Sequence, residues 1–325
     1  MGKRGSGGKI KTEGIKLLKQ AHDLKVSDLY LLPNGDRYQL LFRKHHDVIY
    51  KKRLKTEEAE KLLLFYKYLS GMDVSEKRKA QLGSATVKSG NETIRIRLSS
   101  VADFMNRETL VIRLLYTNVG IKDVSFVYPE QLQELSQSIR GTGMYLFSGP
   151  TGSGKSTTMT LLAQHVIKAQ SLQHVMTIED PVELIHSDFT QLQVNQKIGL
   201  TYPELIKVCL RHRPDVLIIG EIRDEKTAKM AMRAALTGHL VFSTIHAFSK
   251  EGMKSRLLDL DIKESQMNEC VRGYIYQELL PINRVEEYGV MFDYSLEHHQ
   301  TKWEYNLRRA LNEKIIKEAT YHRFQ

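Results

Sequence analysis

Residues Gly149 to Thr157 read Gly-Pro-Thr-Gly-Ser-Gly-Lys-Ser-Thr, directly after the apolar run Met144-Tyr145-Leu146-Phe147. An apolar strand followed by G-x-x-x-x-G-K-[ST] is the layout of a phosphate-binding loop that opens a helix. Gly149, Gly152 and Gly154 let successive backbone N–H groups curl around phosphate oxygens, with Pro150, Thr151, Ser153 and Thr157 completing the loop. A helix beginning near Lys155 would aim its positive end at the same phosphates. Lys155 is expected to reach the β- and γ-phosphates, and the Ser156 hydroxyl to ligate Mg²⁺. The expected ligand is a nucleoside triphosphate.

Three further segments carry groups suited to that ligand. Thr177-Ile178-Glu179-Asp180-Pro181-Val182-Glu183 places carboxylates at the end of an apolar strand, where parallel-sheet enzymes bind ligands. Glu179 and Glu183 can hold Mg²⁺ or orient a nucleophilic water; a solvated acidic turn is the plainer reading of that segment by itself. In Val216-Leu217-Ile218-Ile219-Gly220-Glu221 an apolar strand ends in an acid, with glycine where a magnesium-binding aspartate is usual. Glu221 is the candidate that polarises the attacking water. Arg223 and Asp224 follow, as a surface ion pair or as partners of a neighbouring subunit. His246 closes Gly238-His239-Leu240-Val241-Phe242-Ser243-Thr244-Ile245-His246 at a strand end, either as a structural histidine or as a γ-phosphate sensor.

These groups need a scaffold. The apolar runs at 145–148, 175–178, 216–219 and 240–243 alternate with helical segments such as 155–169 and 226–237. Continuous apolar strands separated by helices predict a mainly parallel sheet covered on both faces. Earlier in the chain the pattern differs. Strands are expected at 28–33 and 38–42 around the turn Asn34-Gly35, at 84–88 and 93–99 around Ser89-Gly90-Asn91, and at 110–115, with a helix over 56–69. That alternation reads as a small α+β domain. The expected organisation is a flexible basic tail over 1–20, an α+β domain over 21–116, a linker over 117–128 and an ATPase domain over 129–325 that ends in a helical extension.

Composition narrows the partners. The chain has 325 residues, enough for two domains, and a formal net charge of +10. Its first sixty residues hold 14 lysines and arginines against 8 acids. A basic surface fits nucleic acid, anionic lipid or an acidic partner, or simply keeps the chain soluble. No zinc-finger or aromatic RNA-binding pattern supports direct DNA or RNA readout. No apolar run approaches the roughly 18 residues of a membrane span, and no signal-peptide core follows the basic N-terminus, so a cytoplasmic protein is expected. Cys209 and Cys270 form no metal-ligand pair, and no zinc is expected.

The segments Gly149–Thr157, Thr177–Glu183, Arg213–Asp224 and Gly238–His246, in this order, resemble the Walker A, Asp, Walker B and His boxes of the secretion-superfamily traffic ATPases. These are the motors of type II secretion and of type IV pilus assembly and retraction. The Gly-Glu Walker B is itself a family feature. Ser27-Asp28-Leu29-Tyr30-Leu31-Leu32-Pro33, Arg97-Leu98-Ser99 and Val111-Ile112-Arg113-Leu114-Leu115 resemble segments of the family's first domain. The resemblance covers most of residues 20–280.

The departures are specific. There is no four-cysteine zinc insert, and a family arginine that reaches nucleotide is Ser84 here, so that Lys88 or Arg95 could share its role. A short, zinc-free pattern is most similar to the competence-pilus motors of Gram-positive bacteria. The resemblance implies a RecA-like domain preceded by a PAS-like one, ATP and Mg²⁺ as ligands, and Arg97 and Arg113 as phosphate contacts. It also implies a homo-hexameric ring, and a polytopic membrane platform protein through which the ring sits at the cytoplasmic membrane and acts on pilin-like subunits. Hydrolysis would rotate one domain against the other. The competing expectations are a retraction or type II secretion motor, a DNA-binding translocase, and a nucleotide switch without steady turnover.

Overall fold

The computed structural model describes residues 6–44, 47–90, 92–116, 124–170, 174–283, 288–297 and 299–325. The chain divides into two units, 1–117 and 118–325. In the first, α1 (Ser6–Asp23) leads into β1 (Asp28–Asn34), β2 (Arg37–Lys44), β3 (Asp47–Lys55), α2 (Thr56–Leu69), β4 (Gln81–Ser89), β5 (Glu92–Ala102) and β6 (Glu108–Leu115). The strands form an antiparallel sheet in the order β3-β2-β1-β6-β5-β4. Their period-2 pattern puts Leu29, Leu31, Leu40, Phe42, Ile96, Leu98 and Ile112 on one face. That face packs on Leu17, Leu18 and Ala21 of α1 and on Leu62, Leu63 and Tyr66 of α2.

Two expectations about this unit are corrected. Residues 6–20, assigned to a tail, belong to α1; an apolar stripe at helical spacing outweighs the lysines and glycines around it. Residues 47–55, left without an element, form β3. Its Lys51, Lys52 and Arg53 are exposed at a sheet edge, where lysine discourages further strand pairing and hides the strand pattern. Asn91 of the expected turn lies outside the described residues.

The second unit contains β7 (Ser125–Phe126), α3 (Pro129–Ser138), β8 (Gly143–Ser148), α4 (Lys155–Gln170), β9 (Val175–Glu179), β10 (Phe189–Gln193), α5 (Tyr202–His212), β11 (Val216–Ile222), α6 (Glu225–Leu236) and β12 (Leu240–Ile245). It continues through α7 (Lys250–Asp259), α8 (Glu264–Cys270), β13 (Val271–Pro281), β14 (Tyr288–Leu296), α9 (Trp303–Asn312) and α10 (Glu318–Phe324). The sheet order is β10-β9-β11-β12-β8-β13-β14-β7, parallel throughout except for the antiparallel β13–β14 pair.

Both faces of this sheet are covered, as the apolar strands predict. Met144, Leu146, Leu217, Ile219 and Val241 pack toward α5, α6 and α8. Tyr145, Phe147, Ile218 and Phe242 pack toward α3 and α4. The expected linker is only partly described: 117–123 fall outside the described residues, and Ser125–Phe126 joins the sheet edge. Helices α9 and α10 follow β13 and β14, which complete the sheet.

Candidate active site

Walker A, Walker B and the His box converge because β8, β12 and β11 are adjacent parallel strands whose C-terminal ends open on one edge. After β8 the chain turns through Gly149, Gly152 and Gly154, with φ of 142°, 84° and 85°, values that L side chains rarely adopt. A Cβ on Gly149 would lie 2.0 Å from the Gln277 carbonyl oxygen, so glycine is required there by close approach as well. Helix α4 then begins at Lys155. The Lys155 ammonium donates to the Gly149 and Pro150 carbonyls, 2.8 Å each. Burial holds its pKa below the ordinary lysine value, partly offset by the fields of Glu221 and Glu183. An anionic phosphate oxygen is a stronger acceptor than two neutral carbonyls, so this lysine fits a triphosphate.

Glu221 sits where β11 changes register against β12, with one extra residue between Ile219 and Ile222. Such a bulge re-aims a side chain at a sheet rim. The Glu221 carboxylate meets His246 Nε2 at 3.3 Å and forms an ion pair with Arg223. That pair, first through its hydrogen bond, raises the Arg223 pKa. Thr244 Oγ1 donates to the Gly220 carbonyl at 2.6 Å, tying the ends of β11 and β12. Ser148, at the end of β8, donates to the Ala247 carbonyl and accepts from the Ala247 N–H at 2.9 Å. One hydroxyl thus joins the strand before the phosphate loop to the segment carrying His246.

Gly220 is closely approached where a side chain would begin. A Cβ there would meet Tyr202 Oη at 2.8 Å and the Ile178 carbonyl at 3.1 Å. The nearest acid on the neighbouring strand is Glu179. Its Oε1 accepts from Thr177 Oγ1 at 2.6 Å and Gln191 Nε2 at 3.0 Å. Burial raises its pKa, while these donors and a backbone N–H from Glu183 oppose the shift. Glu179, Ser156, Thr160, Thr177, His186 and Gln191 share a cavity of about 30 Å³, room for a water. His186 is 8% exposed, and its Nε2 finds no partner among the described residues.

The structure therefore brings Lys155, Ser156, Glu179, Gly220, Glu221 and His246 to one strand edge. Ser156 beside Glu179 is a hydroxyl–carboxylate oxygen set of the kind Mg²⁺ accepts. Arg97 and Arg113 belong to the first unit, where they are register partners on β5 and β6, and Arg113 Nε donates to Asp28 at 2.9 Å. Ser84 is the register partner of Arg97 on β4. Gln277, His186 and Ser148 escaped the sequence reading of the site. Gln277 lies in the segment Tyr276-Gln277-Glu278-Leu279, whose spacing gives it no role. The hydroxyl of Ser148 carries no local signal at all.

Residues 6–314 match the family described as Type II/IV secretion system protein. The chain belongs to that family. This secretion ATPase is a P-loop ATP hydrolase, and its family uses ATP with Mg²⁺. It is 40% identical over 298 residues to competence protein ComGA of Streptococcus pneumoniae, covering 92% of this chain and 93% of that one. It is 38% identical over 268 residues to competence protein ComGA of Bacillus subtilis, covering 82% and 75%. The fold is also that of the Legionella pneumophila ATPase DotB, with a TM-score of 0.77 at 20% identity over 94% of this chain and 93% of that one. Among the described residues no helix is long and apolar enough to cross a membrane.

Proposed function

We propose that this ATPase is the motor that assembles a competence pilus for DNA uptake. The observation that carries the reading is the Walker A lysine, opening α4 after β8, and the bulged Glu221 on β11, at the same sheet edge with only β12 between the two strands, in a chain similar along nearly its whole length to a competence protein. Lys155 and the loop from Gly149 to Thr157 hold the phosphates. Ser156, with Glu179 nearby, holds Mg²⁺, which when bound neutralises charge on the phosphates. Glu221 takes the proton of the attacking water. His246 holds the Glu221 carboxylate in place, and Glu183 adds negative charge near Lys155. Arg97 and Arg113 are proposed as further phosphate contacts, supported by their register pairing on one sheet face.

In this proposal the chains form a homo-hexamer in the cytoplasm, docked on a polytopic platform protein of the membrane. Loss of the γ-phosphate releases its contacts and turns the RecA-like unit against the α+β unit about the segment 117–128, a switch driven by loss of a charge clamp. The test is genetic and biochemical together. Cells carrying Lys155→Ala should lack surface filaments and DNA uptake, and the purified protein should hydrolyse ATP without DNA. Hydrolysis that requires duplex DNA and collapses steeply with salt would replace the motor by a DNA translocase.

A further inference from the structure

We infer that Gln277 on β13 is a positioning residue of the phosphate loop. The inference rests on the reading that this loop holds ATP phosphates. Gln277 is fully buried, and its Nε2 donates to the Ser153 carbonyl inside the loop at 2.6 Å. Its own backbone carbonyl is the atom that forbids a Cβ on Gly149, and its Nε2 lies 3.6 Å from where a Cβ on Gly154 would be. One residue of β13 therefore touches the first, middle and last parts of the glycine turn.

The amide also carries a cost. Gln277 Oε1 is buried with no partner among the described residues, as is Ser153 Oγ close by. A buried unpaired acceptor is unfavourable, and an apolar side chain of the same length would avoid it. Reversing the amide would set its oxygen against the Ser153 carbonyl and lose the hydrogen bond that the side chain makes there. The group is thus retained for its N–H, which fixes the middle of the loop.

The mount of Gln277 is firm. It pairs in register with Phe292 of β14, whose carbonyl accepts from Gln131 Nε2 at 3.0 Å. Its neighbour Tyr276 packs edge-on against Trp303 of α9 and donates to Glu278 at 2.6 Å. Next to Phe292, Asp293 is joined to Lys250 of α7 at 2.9 Å, both nearly fully buried. The β13–β14 hairpin and α9, which carry no recognisable chemistry, hold the shelf on which the glycine turn rests. A loop bound at its middle presents its N–H groups in one arrangement, so less ordering remains to be done when phosphate binds.

The test compares the full-length protein with Gln277→Met, which keeps length and volume but has no N–H. The expected result is a KM for ATP and a dissociation constant for ADP raised tenfold or more, with kcat at saturating ATP falling by less than KM rises. The melting temperature without nucleotide should change little, while the stabilisation by Mg²⁺·ADP should shrink. Gln277→Leu, which also lacks the donor and brings no charge, asks the same question if the methionine variant does not fold. KM and ADP affinity within twofold of the parent in a folded variant would overturn the inference. A parent protein that binds no ATP would instead sink the underlying reading.

Discussion

Two clusters of buried polar groups, around Lys67 in the first unit and around the phosphate loop in the second, are arranged in opposite ways; outside both, Arg95 Nη1 on β5 of the first unit is also buried without a partner among the described residues. In the first, Lys67 is wholly buried and its ammonium is shared between the Glu108 carboxylate and the Glu76 carbonyl. Ser100 Oγ donates to the same carboxylate, and Tyr38 Oη to the Glu108 backbone carbonyl. This network is closed in that its groups use one another. In the second unit, Ser153 Oγ, His186 Nε2 and Gln277 Oε1 are buried without partners, all around the phosphate loop and its cavity, while Lys155 leans on neutral carbonyls. Satisfied polar burial specifies a fold, and incompletely satisfied polar burial marks where something binds.

Substitutions can break this contrast. Lys155→Ala should have the largest effect, removing measurable ATP turnover in a phosphate-release assay while leaving the melting curve near that of the parent. Lys67→Met should do the reverse. It strands a buried carboxylate, and loss of one partner of a buried pair costs about 3–5 kcal/mol, to be read by denaturant unfolding of the first unit's transition. Replacing both, as Lys67→Met with Glu108→Gln, should recover most of that loss; a double variant as unstable as the single one would refute the closed-network account. Glu221→Gln comes next, with nucleotide affinity kept and the rate falling at least ~10²-fold. The smallest effect concerns Cys209 and Cys270. Burial pushes both thiols up to about 11, so neither should react with a maleimide at pH 7 in the folded protein.

Much of the second unit was legible because its chemistry is local. The glycines, Lys155 and Ser156 are contiguous, and a strand followed by a helix is their only sensible setting. Glu221 was readable as the acid ending an apolar strand, but the bulge that aims it arises from pairing with β12 and leaves no mark in the sequence. Gln277 was harder still, since its role depends on a loop 124 residues earlier in the chain. In the first unit, β3 was hidden because edge lysines suppress the alternation that reveals a strand, and the first turns of α1 because their glycines and lysines suggested a tail, while Ile15, Leu17, Leu18 and Ala21 carry the helical spacing of its second half. Contacts between distant segments, rather than local preference, decided each of these.

The crowding at Gly220 bears on how such motors can be altered. An added Cβ would meet Tyr202 Oη at 2.8 Å and the Ile178 carbonyl at 3.1 Å, so the aspartate found there in most P-loop enzymes would require the tyrosine hydroxyl and the β9 backbone to give way. In the proposed site the carboxylate on the metal side lies one strand sideways, on Glu179 of β9. Grafting Gly220→Asp would therefore set the new side chain against Tyr202 of α5 and the β9 backbone, so redesign of the proposed magnesium site is better attempted from the neighbouring strand.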